Sequence, residues 1–380
     1  MFRDELLLEL LSQPTAPFRE WHVLSKITRV LEDAAVPFFT DPIGNIVIGA
    51  ASKADYLKLL KQPSPEPLRV FIAHTDHPGF HGVKWKTKNQ LEIKWHGGSP
   101  TQHLVGSQAW LATREGKFSS GKFTQVSMHP SGRAIQSGIV QVAQTSSVPA
   151  SEIFGGFQFR APVWKDGELL YTHAADDLVG VFAILSLALD LKTAGKKKPF
   201  IGLLTRAEEV GFIGAIGHFE LGWLSRAKRK VLCVSLETSR TLPGAEIGKG
   251  PVVRLGDRST VFDAGALRIL SDLALKTLPE QHQRRIMDGG SCEATAATVY
   301  GLPCIGMSVP LGNYHNQSLE GGPDSAPPNG PAPEFVHLQD VKGLIELCHS
   351  VLTPKLPWNA PWKTRRVEFK KSLREYQKLL

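Results

Sequence analysis

The chain has little of what marks the specialised protein classes. No run of apolar residues approaches the ~18 that a membrane-spanning helix requires, so no membrane association is expected. Only four of its 380 residues are cysteines, at positions 233, 292, 304 and 348, with no close pairing. That spacing speaks against a disulfide framework and against a thiolate zinc site, and makes a reducing cytoplasm the default location. The start of the chain also lacks the purely basic stretch of a secretory signal: Asp4 and Glu5 follow Arg3, and Glu9 interrupts the short apolar part. It reads as a helix of the mature protein. No fixed-period repeat is present.

What is there is an ordinary soluble composition, 42% apolar and 21% charged, which fits neither a fibrous nor a disordered chain. At roughly 100–200 residues per domain, the length allows two or three domains. The net charge of +8 raises the question of nucleic acid, and its distribution answers it. A charge of +5 lies in residues 361–380, where seven Lys and Arg face Glu368 and Glu375. Phe369, Leu373, Tyr376 and Leu380 follow helical spacing, so 361–380 reads as a basic amphipathic helix docking on its own domain or on a sister subunit. It carries no aromatic platform or recognition motif, and no nucleic-acid partner is expected.

The texture changes twice along the chain. LRVFIAH, FIGLLT, VLCVSL and PCIGMSV are short continuous apolar runs of the kind found in interior strands, and helical stretches near 178–191, after Glu209, and at 264–278 alternate with them. That alternation predicts an α/β fold with a mostly parallel sheet flanked by helices. Between them, short alternating runs separated by Gly, Ser and Pro at 8–12-residue spacing predict an inserted small all-β domain. The expected division is residues 1–80 with 166–360 as the α/β domain, 81–165 as the insertion, and 361–380 as the terminal helix. The Pro-rich segment after Glu320 reads as a lid, an interface element or a disordered surface loop, followed by a helix at 336–351.

Five places join an expected core strand or helix to a metal-type ligand. His74 ends LRVFIAH, with Asp76 two residues on; Asp176 and Asp177 start an apolar helix; Glu208 and Glu209 follow FIGLLT; Glu237 ends VLCVSLE; His315 follows PCIGMSV. Each has a bland reading by itself: a satisfied histidine, a helix cap, a surface Glu pair. Together they converge on the carboxyl edge of the sheet, where open α/β folds bind ligands. Two histidines and three carboxylates without a thiolate suit zinc, cobalt or manganese, and five ligands serve two ions only if one carboxylate bridges. A further Glu is then free to act as a base.

The order of the segments TDPIGNIVIG, AHTDHPGF, AADDLVG, EEVGFIGA, GKGPVVR, DGGSCEA and YHNQSLE resembles the TET-type dinuclear metallo-aminopeptidases, the family of glutamyl and deblocking aminopeptidases. The resemblance implies that Asp176 bridges two metals, one held also by His74 and Glu237 and the other by Glu209 and His315. It implies that Glu208 is the general base and that Asp76 orients His74. It further implies two divalent ions per chain, short peptide substrates, and a homo-oligomer built partly through the inserted domain. Glu237 stands where the family usually has Asp, Glu293 where a Thr-Asp pair is usual, and His77 where an acidic residue is. An amidase or deacylase of the wider zinc-peptidase group, and a silent metal-binding scaffold, are the competing readings.

Overall fold

The computed structural model describes residues 2–380; Met1, the first residue of the N-terminal segment, lies outside them. The apolar runs form the centre of an eight-stranded mixed sheet. Its order is Phe38–Thr40, Ile46–Ile48, Phe200–Thr205, Leu68–His74, Val231–Arg240, Cys304–Leu311, Val252–Asp257 and Gln283–Met287. The four strands from Phe200–Thr205 to Cys304–Leu311 run parallel, while antiparallel pairings join Ile46–Ile48 and Val252–Asp257 to them. All seven residues of Leu68–His74 are buried, because helices cover both faces of a parallel sheet. Each fully buried Val, Ile or Phe there contributes about 1.5–3 kcal/mol. The helix Leu178–Thr193 is apolar on every side and its first eleven residues are all buried.

The inserted segment closes into a six-stranded antiparallel barrel running from Gly79–Trp85 to Phe154–Phe157. Its core, with Phe80, Trp95, Phe123 and Phe157, is a cluster separate from that of the main sheet. The fold is thus the expected mostly parallel sheet with helices and an inserted all-β unit.

Three local expectations change. The strand expected to end on Glu237 continues to Arg240, because Thr238, Ser239 and Arg240 pair with Val309, Pro310 and Leu311. The expected helix at 336–351 starts only at Leu338. Glu334–His337 is a strand, paired antiparallel to Leu169–Thr172 in a third, three-stranded sheet. The basic C-terminal helix, Lys363–Tyr376, forms as expected but buries no residue against the rest of its own chain.

Candidate metal centre

The parallel strands bring their carboxyl ends together, and the ligand-type residues with them. His74 is the last residue of its strand, in register with Thr205, and the chain that leaves Thr205 reaches Glu208 and Glu209 within four residues. Glu237 lies one strand over, paired with Ser308, and His315 follows Leu311 by four residues. Asp176 comes in from the side, just before the helix Leu178–Thr193.

The adjacent aspartates have different tasks. Asp177 caps the helix, accepting the Gly180 N–H at 3.1 Å, and takes a second bond from the Thr238 hydroxyl at 3.0 Å. Asp176 places Oδ1 3.5 Å from His74 Nε2 and Oδ2 3.8 Å from His315 Nε2. His315 Nε2 is also 3.1 Å from Glu209 Oε2. Ligand atoms of His74, Asp176 and Glu237 lie within 4.8 Å of one another, and so do those of Asp176, Glu209 and His315. The two sets share Asp176. A third set of the same tightness joins His74, Glu208 and Glu209.

Asp76 is fully buried beneath these residues. Its carboxylate accepts the backbone N–H groups of Glu208 at 2.9 Å and Glu209 at 3.1 Å. His74 Nδ1 lies 3.2 Å from the Asp76 carbonyl oxygen and 3.6 Å from its Oδ1. Glu208 Oε2 stands 3.9 Å from His74 Nε2.

The clustered groups perturb one another strongly. Burial raises the carboxyls of Glu208, Glu209 and Glu237 above the usual range and neighbouring carboxylates raise them further, while His74, His315 and Arg254 pull the other way. Burial alone would depress His74, but Glu208, Asp176 and Asp76 outweigh it and hold the imidazole well above its ordinary value. Asp176 Oδ1, Glu209 Oε1 and Glu237 Oε1 are buried and make no hydrogen bond, and the buried His315 Nε2 faces the Glu209 and Asp176 carboxylates. Such atoms in a native interior need a partner, and a set of nitrogen and carboxylate donors fits a divalent metal.

A cavity of about 120 Å³ opens beside Asp176 and Glu237, walled by Arg254, Cys292 and Tyr314. A larger cleft of about 880 Å³ lies at the other ends of the strands, around Leu68 and Phe200, and includes none of the clustered residues.

Sequence reasoning missed several residues that shape the centre. Glu20, completely buried, takes the Ala207 N–H at 3.1 Å and pairs with Arg206 at 2.7 Å, which holds Ala207 at φ 52 and so aims the Glu pair. Arg254 is 3% exposed, its Nε and Nη1 have no hydrogen-bond partner, and Nη1 lies 3.9 Å from Glu237 Oε1. Glu334 accepts backbone N–H groups on both sides of the cluster. The available signals were faint: an Arg inside PVVRLG, and a Glu closing the Pro-rich segment.

Known proteins resemble the chain in both sequence and fold. Its fold matches a TET aminopeptidase from a marine sediment archaeon of the Thaumarchaeota at 19% identity and TM-score 0.72, over 93% of this chain and 97% of that one. An aminopeptidase from the archaeon Desulfurococcus kamchatkensis matches at 19% identity and TM-score 0.72, over 94% and 97%. The Pyrococcus horikoshii TET1 peptidase, described as assembling into a tetrahedron or a large octahedral shell, matches at 20% identity and TM-score 0.70, over 92% and 99%. At such identities the likeness is one of fold. The model of the M42 glutamyl aminopeptidase family matches residues 154–320, a span that holds Asp176, Glu208, Glu209, Glu237 and His315 but not His74 or Asp76. The chain is thus similar in sequence to the M42 glutamyl aminopeptidase family over residues 154–320, and similar in fold to TET aminopeptidases over more than nine-tenths of its length.

Proposed function

We propose that the chain is a dinuclear metal-dependent aminopeptidase that removes N-terminal residues from short peptides. The observation that carries this reading is Asp176, which turns one carboxylate oxygen toward His74 and the other toward His315. His74, Asp176 and Glu237 would hold one ion, and Asp176, Glu209 and His315 the other. The fit rests on the unpaired buried ligand atoms and on a donor set free of thiolate. Zinc suits it best, with cobalt or manganese as alternatives. Bound divalent ions would acidify a water, polarise the scissile carbonyl and stabilise the developing oxyanion.

The chain's own residues supply the rest. Glu208 is the one clustered carboxylate that neither Asp176 set needs, and its raised proton affinity suits it to take the water's proton and pass it to the leaving amine. Assigning Glu208 as a ligand instead would leave the site without that base. Asp76 sets the direction of the Glu pair through their backbone N–H groups and sits against His74 Nδ1. Arg254, buried at the edge of the cavity with Nε and Nη1 free of hydrogen bonds, would receive an acidic first side chain, in keeping with the name of the matched family.

We read residues 1–80 with 166–360 as the catalytic unit, 81–165 as the inserted unit and 361–380 as the terminal helix. The TET relative's assembly into closed shells supports a homo-oligomer. Four buried, free thiols fit the cytoplasm, and no described helix is long and apolar enough to cross a membrane. The decisive experiment is metal analysis of the purified protein with activity restored ion by ion. Turnover of a peptide panel that includes acidic first residues is compared with turnover of acylated amino acids. Two ions per chain and release of N-terminal residues are expected; one ion with deacylation overturns the reading in favour of an amidase.

A further inference from the structure

Glu334 opens the strand Glu334–His337 and is completely buried. Its Oε2 accepts the N–H of Ala175 at 2.7 Å and that of Asp176 at 3.1 Å, and its Oε1 accepts the N–H of His315 at 2.9 Å. One side chain therefore bonds to the backbones of two residues that lie 139 positions apart in sequence and only 3.8 Å apart at their side-chain tips. No Lys or Arg pairs with it among the described residues; backbone N–H groups are its hydrogen-bond donors, and the buried His77 Nε2 stands 3.9 Å from its Oε1.

The turn it holds is one the chain would not keep unaided. Asn313, His315 and Asn316 have φ of 55, 55 and 57, in the left-handed region that residues with a Cβ avoid. Asn313 secures the first part, accepting from Leu319, Glu320 and Gly321 and donating to the carbonyls of Gly321 and Pro333. The N–H of His315 has Glu334 as its acceptor. The Pro-rich segment between them is anchored by Ser318, Asn329 and Ala332 backbone bonds, and these return the chain so that Glu334 arrives beneath His315.

Resting on the metal-centre reading above, we propose that Glu334 is a positioning residue that sets the spacing of Asp176 and His315, and that the Pro-rich segment is the strap that delivers it. The carboxylate suits the task because both of its oxygens accept. A glutamine has one accepting oxygen and an NH₂ that donates, so either the Ala175–Asp176 pair or His315 would meet a donor.

The test is cobalt titration of the metal-free protein, following heat and the visible absorption of the bound ion. Wild type is compared with Glu334→Gln, Glu334→Asp and Asp340→Asn. Asp340 is the control: it too is a buried carboxylate that accepts two backbone N–H groups, from Gly248 and Gly250, and it bonds to none of the clustered residues. Glu334→Gln should weaken one of the two cobalt sites about 10–100-fold and alter its absorption. Glu334→Asp should recover part of that loss, and Asp340→Asn should bind cobalt as wild type does even if it unfolds more readily. Equal loss in Glu334→Gln and Asp340→Asn, no recovery in Glu334→Asp, or an unchanged cobalt spectrum in Glu334→Gln overturns the proposal. If wild type itself takes up only one ion, it is the dinuclear reading that fails. Should Glu334→Gln not fold, the comparison of Glu334→Asp with Asp340→Asn decides alone.

Discussion

Gly98, in the turn that leaves the barrel strand Gln90–His96, lies so close to His315 that a Cβ at this position would fall 1.9 Å from its Nδ1. The inserted barrel therefore touches the candidate metal centre directly. The Gly98 carbonyl is fixed in turn by a bond from the Trp95 indole at 2.9 Å. On its other side the His315 ring stacks on Tyr314, with centroids 3.7 Å apart.

Replacing Gly98 by Ala tests that contact. The backbone at Gly98 is not in the left-handed region, so the added methyl is opposed only by its neighbours. His315 must swing away, and the ion shared by Asp176, Glu209 and His315 should bind at least about tenfold more weakly. Metal content and turnover fall together while the circular dichroism of the barrel is kept. Full metal content with normal activity would show that the turn yields instead.

Glu208→Gln separates chemistry from binding. The amide keeps the shape of the carboxyl and removes the proton acceptor, so both ions should remain and turnover should fall about 10²–10⁴-fold. Loss of an ion in this variant would move Glu208 into the ligand set that joins it with His74 and Glu209.

Much of this arrangement was legible in the sequence, for identifiable reasons. LRVFIAH and FIGLLT can be read as interior strands because a strand covered on both faces is apolar nearly throughout, with the buried Arg69 as the exception in the first. His74 and the Glu pair stand out because charge directly after such a run has few bland explanations. The aspartate pair was ambiguous because capping and ligation ask for the same residue type, and only the fold assigns the cap to Asp177. Gly98, Glu20 and Glu334 were not legible, since their roles come from contacts with residues that follow or precede them by 19 to 217 positions. The end of the Glu237 strand was misjudged because Thr238–Arg240 are held by pairing with a neighbour and not by their own hydrophobicity.

Glu293 gives the metal-free protein a pH dependence of defined sign. Burial lifts its carboxyl to about 7, against the opposing pull of His74 and of the Thr205 hydroxyl bonded to it. The unfolded chain releases this proton near 4.5. The folded form thus binds more protons between those values, and the contribution, roughly 3 kcal/mol, is full below pH 4.5 and is lost as the pH rises through 7. Unfolding midpoints in urea should fall from pH 5 to pH 7.5 in the metal-free wild type, and fall less in Glu293→Gln, which stays neutral. Equal slopes for the two would remove Glu293 from the account.

The C-terminal helix offers a last test, because its own chain does not explain it. Lys363–Tyr376 buries no residue, and Phe369, Leu373, Tyr376 and Leu380 are each more than half exposed. A helix of 14 residues without tertiary contacts is marginal in water, so its apolar side needs a partner to be stable. Its base is fixed by the Arg268 guanidinium, which donates to the Pro361 carbonyl at 2.9 Å. In the homo-oligomer proposed above, a second copy of the chain would supply that partner. Deleting residues 363–380 should leave the thermal midpoint of the remaining chain within about 2 °C, since exposed surface contributes within ±0.5 kcal/mol. The same deletion should lower the assembled mass seen by light scattering. An unchanged mass would mean that the helix lies outside every contact between copies, and a large fall in the midpoint of the dissociated chain would mean that it packs on its own domain.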